Sequence, residues 1–165
     1  KGASWKYLRD PANYDFRPKA GSPLVDAGAI VTEHELPSPV TSFPGQHYVG
    51  TAPDIGAYEC HDLRYWIPGR LKSTATMPVP KNKGVNVPLD SDLMFLEAYQ
   101  AKAHTIYFGT DVNALQTIAS LKGTTTNIVQ PPKLIAKTTY YWRVGATKEF
   151  DDEVLSPTWT FTTRE

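Results

Sequence analysis

The chain has 165 residues in which Lys+Arg 17 balance Asp+Glu 17, and the balance holds in each half, eight of each up to Lys72 and nine of each after it. That neutrality excludes the basic surface that nucleic acid or an anionic membrane demands. A hydrophobic share of 41% with 14 Pro and 11 Gly describes a packed protein of short elements, all-β rather than helical.

Up to Gly69, eight prolines and turn dipeptides such as Asp10-Pro11, Pro44-Gly45 and Pro53-Asp54 leave room only for short strands. The apolar pieces Pro23-Leu-Val25 and Ile55-Gly-Ala-Tyr58 are brief. Taken alone, this half lacks the apolar content for a core of its own. Cys60 is the sole cysteine, which excludes an internal disulfide and a cysteine-based zinc site, and it reads as a buried structural thiol. No apolar stretch approaches a bilayer-spanning length, and no basic start precedes an apolar run. Lys1-Gly-Ala-Ser-Trp5 lacks an initiator Met and fits a processed or excised piece.

After Lys72 the chain changes to evenly spaced β-type segments. Thr74 to Val79, with Pro78 and Pro80, suits an outer strand because proline cannot donate to a ladder. Asp92 to Ala98, His104 to Gly109, Leu115 to Leu121, Asn127 to Gln130, Thr139 to Thr147 and Pro157 to Thr163 follow. About seven strands over this length is the count of an immunoglobulin-like sandwich. The spacing of Leu115, Ile118 and Ala119 also suits a short helix. Alternation places Tyr140, Trp142, Val144 and Ala146 on one face of their strand, and Trp159 and Phe161 alternate with threonines, so Trp142 and Trp159 read as core.

The run Leu134-Ile-Ala-Lys-Thr-Thr-Tyr140-Tyr-Trp-Arg-Val144 resembles the fibronectin type III pattern in which a leucine lies six residues before the tyrosine that opens strand F. The resemblance implies a tyrosine corner, whose hydroxyl bonds back to upstream backbone. Ile106-Tyr-Phe-Gly-Thr-Asp111 and Ser156-Pro-Thr-Trp-Thr-Phe-Thr-Thr163 resemble a variety of this domain found in secreted, multidomain bacterial proteins. Phe95 departs from the tryptophan usual on strand B.

Tyr14-Asp-Phe-Arg-Pro-Lys-Ala-Gly-Ser-Pro-Leu-Val-Asp-Ala-Gly28 and Pro53-Asp-Ile-Gly-Ala-Tyr-Glu59 resemble the closing segment of secreted right-handed parallel β-helix proteins, a group of polysaccharide lyases, glycoside hydrolases and adhesins. A solenoid end needs an atypical capping segment. The two resemblances imply a β-helix terminal cap over 1–69 followed by a sandwich over 73–165, secreted or at the surface of a bacterium. The implied partner is an upstream β-helix of the same parent, with polysaccharide as a further one. The aromatic junction from Tyr65 to Lys72 is expected to pack, burying Tyr65 or Trp66.

No nucleophile elbow, zinc-protease helix, P-loop, Rossmann glycine pattern or EF-hand loop is present, and no cofactor is expected. Polysaccharide lyases and hydrolases need few residues and no fixed motif, so single groups carry weight. Glu33-His34-Glu35 reads as a solvated loop with a metal or base role as the alternative. Asp26, Asp54 and Glu59 read as turn-holding acceptors of backbone N–H groups, with calcium as the alternative. His61-Asp62 follows the cap directly and could form a dyad, but adjacent strand residues point to opposite faces, which weighs against a catalytic pair. Asp151-Asp152-Glu153 reads as a solvated turn. Trp5, Tyr7, Tyr65 and Trp66 lie outside the sandwich alternation and are the candidates to stack on sugar rings. For Tyr65 and Trp66 the competing role is interface glue.

Overall fold

The computed structural model describes residues 4–30, 48–67, 69–123, 126–149 and 152–165. The chain falls into two compact units, Lys1–Pro11 with Asp15–Asp62, and Ala12–Tyr14 with Leu63–Glu165.

In the first unit, β1 (Leu8–Asp10) pairs antiparallel with β2 (Asp15–Pro18). Asp15 and Arg17, two apart on a strand, share a face. Both are buried, and Asp15 takes the Arg17 guanidinium at 2.9 and 2.8 Å and Arg9 Nε at 3.1 Å. A charge this deep is tolerated because both carboxylate oxygens are occupied.

The second unit is an all-β sandwich of two sheets. The smaller has the order β3 (Thr76–Val79), β5 (Leu93–Leu96), β8 (Ile128–Val129). The larger runs β4 (Gly84–Val87), β11 (Trp159–Thr163), β9 (Thr139–Thr147), β6 (Ala103–Gly109), β7 (Gln116–Lys122), with β10 (Val154–Leu155) on β9. β3 lies at a sheet edge, where Pro78 costs no ladder bond. Leu115 to Leu121 is strand rather than helix: from Gln116 on it pairs antiparallel with β6, with a register shift at Ile118, and those ladder bonds outweigh a helical spacing of three apolar side chains.

Leu93 and Phe95 from β5 and Val129 from β8 meet Ile106, Phe108, Tyr140, Trp142, Val144, Trp159 and Phe161 from the larger sheet, in one apolar core. Each fully buried side chain of this size contributes ~1.5–3 kcal/mol. Trp142 and Trp159 pair across the β9–β11 ladder and meet edge to face at 4.7 Å. Tyr140 stacks on Phe108 at 4.9 Å, and its hydroxyl oxygen accepts the Ile135 N–H at 2.9 Å beside buried Leu134. A hydroxyl thus satisfies a backbone donor that the turn before β9 would leave open.

Two strands depart from simple alternation. β5 is Leu-Met-Phe-Leu, buried throughout, with Met94 and Leu96 on the face opposite Leu93 and Phe95. β4 runs parallel to β11, and Asn86 at φ 56 breaks its regular pleat. Pro157 interrupts the last strand, and Ser156 repairs the ladder: its Oγ accepts the Val144 N–H at 3.0 Å and its own N–H reaches the Val144 carbonyl at 2.8 Å.

Two buried asparagines work as clamps inside this unit. Asn13 Nδ2 donates to the Val85 carbonyl at 3.1 Å, while the Lys81 N–H reaches the Asn13 carbonyl at 3.0 Å. Gly84 makes room, since a Cβ there would lie 2.5 Å from Asn13 Oδ1. Asn127 pairs bidentately with the backbone of Tyr65, accepting its N–H at 2.7 Å and donating to its carbonyl at 2.5 Å, and also donates to the Phe95 carbonyl at 2.7 Å.

Candidate functional site

Asp26, Asp54 and Glu59 form a relay in the first unit. Glu59 accepts the Asp54 N–H at 3.0 Å and the Val49 N–H at 3.3 Å. Asp54, buried, accepts the Asp26 N–H at 2.8 Å and the Cys60 N–H at 2.6 Å. Asp26 Oδ1 accepts the N–H groups of Thr51 at 2.7 Å and Ala52 at 3.1 Å. Each carboxylate therefore fixes the backbone that presents the next. The Ala52 and Thr51 donors hold the Asp26 carboxyl below the ordinary carboxylate range, so it stays charged as an acceptor.

Glycine is required where these loops close up. The Gly28 N–H reaches the Pro53 carbonyl at 2.6 Å, and a Cβ on Gly28 would stand 2.7 Å from that oxygen. Gly50, at φ 121, lies against the Asp26 carboxylate.

Calcium does not fit this arrangement. Its six or more oxygens must converge on one point, whereas these carboxylates spread over N–H donors from Asp26 to Cys60. Among the described residues no three His, Cys, Asp or Glu side chains gather into a metal-binding group. The Cys60 thiol lies 3.7 Å from His61 Nε2. Burial and the Asp54 charge push the thiol pKa up, the opposite of what a nucleophilic cysteine needs. His61 and Asp62 lie in a turn rather than a strand, where the Asp62 N–H reaches the Glu59 carbonyl at 3.3 Å.

The four candidate rings separate. Trp5 is 61% exposed and meets Phe16 at 6.1 Å, and Trp66 is 37% exposed. Tyr7 is half-buried with Lys6 Nζ 4.7 Å above its ring. Tyr65 is withdrawn as a sugar-stacking residue: at 6% exposure its ring offers no free face, because Asn127 holds its backbone against the sandwich. Glu33-His34-Glu35 lies outside the described residues.

Sequence reasoning missed Asn13 and Asn127, whose partners are 72 and 62 residues away. It also missed the Arg9–Asp15–Arg17 cluster, although the Asp-x-Arg spacing in a short strand is a legible signal for a same-face pair.

No family model matches the chain, and no curated protein matches it. Among solved structures, an Fn3-like protein from Clostridium thermocellum is similar at 16% identity and TM-score 0.44, over 57% of this chain and 95% of that one. An alpha-L-rhamnosidase from Dictyoglumus thermophilum is similar at 11% identity and TM-score 0.46, over 55% of this chain and 12% of that one. A beta-1,2-glucanase from Parabacteroides distasonis is similar at 21% identity and TM-score 0.40, over 60% of this chain and 14% of that one. The chain thus spans about one eighth of each of these two enzymes. No helix among the described residues is long and apolar enough to cross a membrane.

Proposed function

We propose that this chain is a non-catalytic portion of a larger, secreted bacterial protein associated with polysaccharide. In this reading 1–69 cap the end of a right-handed parallel β-helix, and 73–165 form a fibronectin type III-like domain that acts as spacer and stabiliser. The observation that carries the non-catalytic reading is the relay: Asp26, Asp54 and Glu59 are spent on backbone N–H groups, and the neighbouring thiol is held protonated. A general acid or base needs a free carboxylate within reach of substrate. The motif resemblances supply the class of the parent.

The test is incubation of the chain with a polysaccharide panel and chromatography of the products, with Asp54→Asn alongside. Oligosaccharide release that disappears in Asp54→Asn would sink the non-catalytic reading. Residues encoded upstream of Lys1 test the cap: solenoid rungs support it, and a signal-cleavage site directly before Lys1 removes it. A second reading, a carbohydrate-binding module, is favoured by the 61% exposure of Trp5. Affinity electrophoresis in glycan-containing gels tests it, retardation lost in Trp5→Ala being its signature.

A further inference from the structure

His104, on β6, is 3% exposed and packs its ring 5.3 Å from that of Phe95. Its Nε2 accepts the Ala98 N–H at 3.2 Å. Ala98 is itself buried, so this N–H relies on the imidazole rather than on water for its partner.

The bond reaches beyond these two residues. Ala98 begins the turn between β5 and β6, whose Ala101 N–H closes on the Ala98 carbonyl at 3.2 Å. The same turn clasps the chain that enters the sandwich: Lys72 bridges to Ala98 in parallel, and its carbonyl accepts the Tyr99 N–H at 2.6 Å. One imidazole nitrogen thus holds the backbone directly before the N–H that holds Lys72.

A proton reverses the contact. Imidazolium carries a donor on each nitrogen and no acceptor, so Nε2–H would confront the Ala98 N–H and bring a charge into an apolar site. Phe95 of β5, Leu121 of β7 and Ala146 of β9, the residues that stack on His104 or face it in the ladders, carry no charge. Near the turn, the Glu97 carboxylate is taken by Arg64 at 3.1 Å, and Lys72 and Lys102 add only positive charge. Burial accordingly lowers the imidazole pKa.

We propose that His104 is an acid-operated release for the segment at Lys72: protonation breaks the bond to Ala98, opens the turn between β5 and β6 and frees the Lys72 clasp, while the sandwich core stays folded. In the open form water reaches the ring, which then titrates near its ordinary value of about 6.5. The open form therefore binds the proton more readily, so acid favours release and neutral pH favours the clasp.

The experiment is amide hydrogen exchange read by NMR on the full chain between pH 7 and pH 5, each rate corrected for its intrinsic pH dependence, with His104→Gln alongside. Glutamine keeps an acceptor for Ala98 but does not titrate, and the other three histidines, all before Asp62, remain in that variant. In the parent, protection of the Ala98 and Tyr99 amides is expected to fall by about twentyfold, the ratio for a ring that titrates near 6.5 when open and below 5 when closed. Their protection should stay well below that of Trp142 and Phe161 throughout, the mark of a local opening. His104→Gln should abolish the fall. Unchanged protection in the parent, Ala98 and Tyr99 as protected as Trp142 and Phe161, or a fall that persists in His104→Gln each overturns the proposal. Should the variant not fold, the parent decides: Tyr99 protection must decline below about pH 6.5 and level off at the midpoint of the His104 ring's own NMR titration, and a decline over any other range overturns the proposal.

Discussion

Asn127→Ala tests whether one buried amide holds the segment around Tyr65 to the sandwich. The side chain is 1% exposed and makes three hydrogen bonds, two to Tyr65 and one to Phe95. At a net ~0.5–1.5 kcal/mol per bond, and with the Tyr65 N–H and two carbonyls left to find water, the expected loss is about 2–4 kcal/mol. With a urea m-value of about 2 kcal/mol/M, the unfolding midpoint falls by about 1–2 M at unchanged m. Hydrogen exchange gives the local readout: the Tyr65 amide, protected in the parent, should exchange far faster in the variant. Asn127→Asp sharpens the test. It keeps the acceptor for Tyr65 but turns a carboxylate oxygen toward two carbonyls, so it should be no more stable than the alanine variant at neutral pH. Burial raises that carboxyl's folded pKa above its unfolded one, so the deficit of Asp relative to Ala shrinks as the pH falls and the group protonates. A midpoint for Asn127→Ala within about 0.3 M of the parent, with Tyr65 still protected, would refute the reasoning.

Trp142→Ala should cost about 3–5 kcal/mol, read from the denaturation midpoint, because the ring is fully buried against Trp159 and β-sheet neighbours cannot collapse far into the void. His104, buried against Phe95 and accepting the Ala98 N–H at 3.2 Å, has its pKa lowered by burial. Its neutral form is the folded one, so stability is whole above about pH 6.5 and declines as the pH falls toward the lower folded value. His104→Gln should flatten that slope in urea midpoints measured across the range. Asp54→Asn turns an N–H donor toward the Cys60 N–H, whereas Asp26→Asn can keep an oxygen on Thr51 and Ala52. Thiol labelling of Cys60 should therefore accelerate in Asp54→Asn and stay near the parent rate in Asp26→Asn.

Legibility followed the range of the interaction. Along β9 and β11, burial alternates with the pleat, so Tyr140, Trp142, Trp159 and Phe161 could be assigned inward from the sequence. Leu134 and Tyr140 were legible together because six residues separate them. β4 was not, since its partner β11 lies far along the chain and Val85, 61% exposed, carries no periodic signal. Tyr65 was left open between a sugar-stacking ring and a buried junction ring, because the partner of its backbone is a single asparagine 62 residues away. Asp26, Asp54 and Glu59 stand beside Gly and Pro, where short carboxylates close turns, and the geometry of each shows the donors it takes. Arg143 and Tyr107 were legible as outward-facing, but Glu153 lying over Gly145 and bonding Tyr107 was not, since it joins two strands and the segment before β10 at once.

The Asn13 clamp has a bearing on how copies of this protein behave in crowded solution. β4 is the terminal strand of its sheet, and an exposed edge is an open template on which a foreign strand can polymerise. Asn13 already occupies the Val85 carbonyl there, so an arriving chain would have to evict a buried amide before it could extend the sheet. The side chain that seats a turn thereby also acts as a stopper against fibrillar growth from that margin.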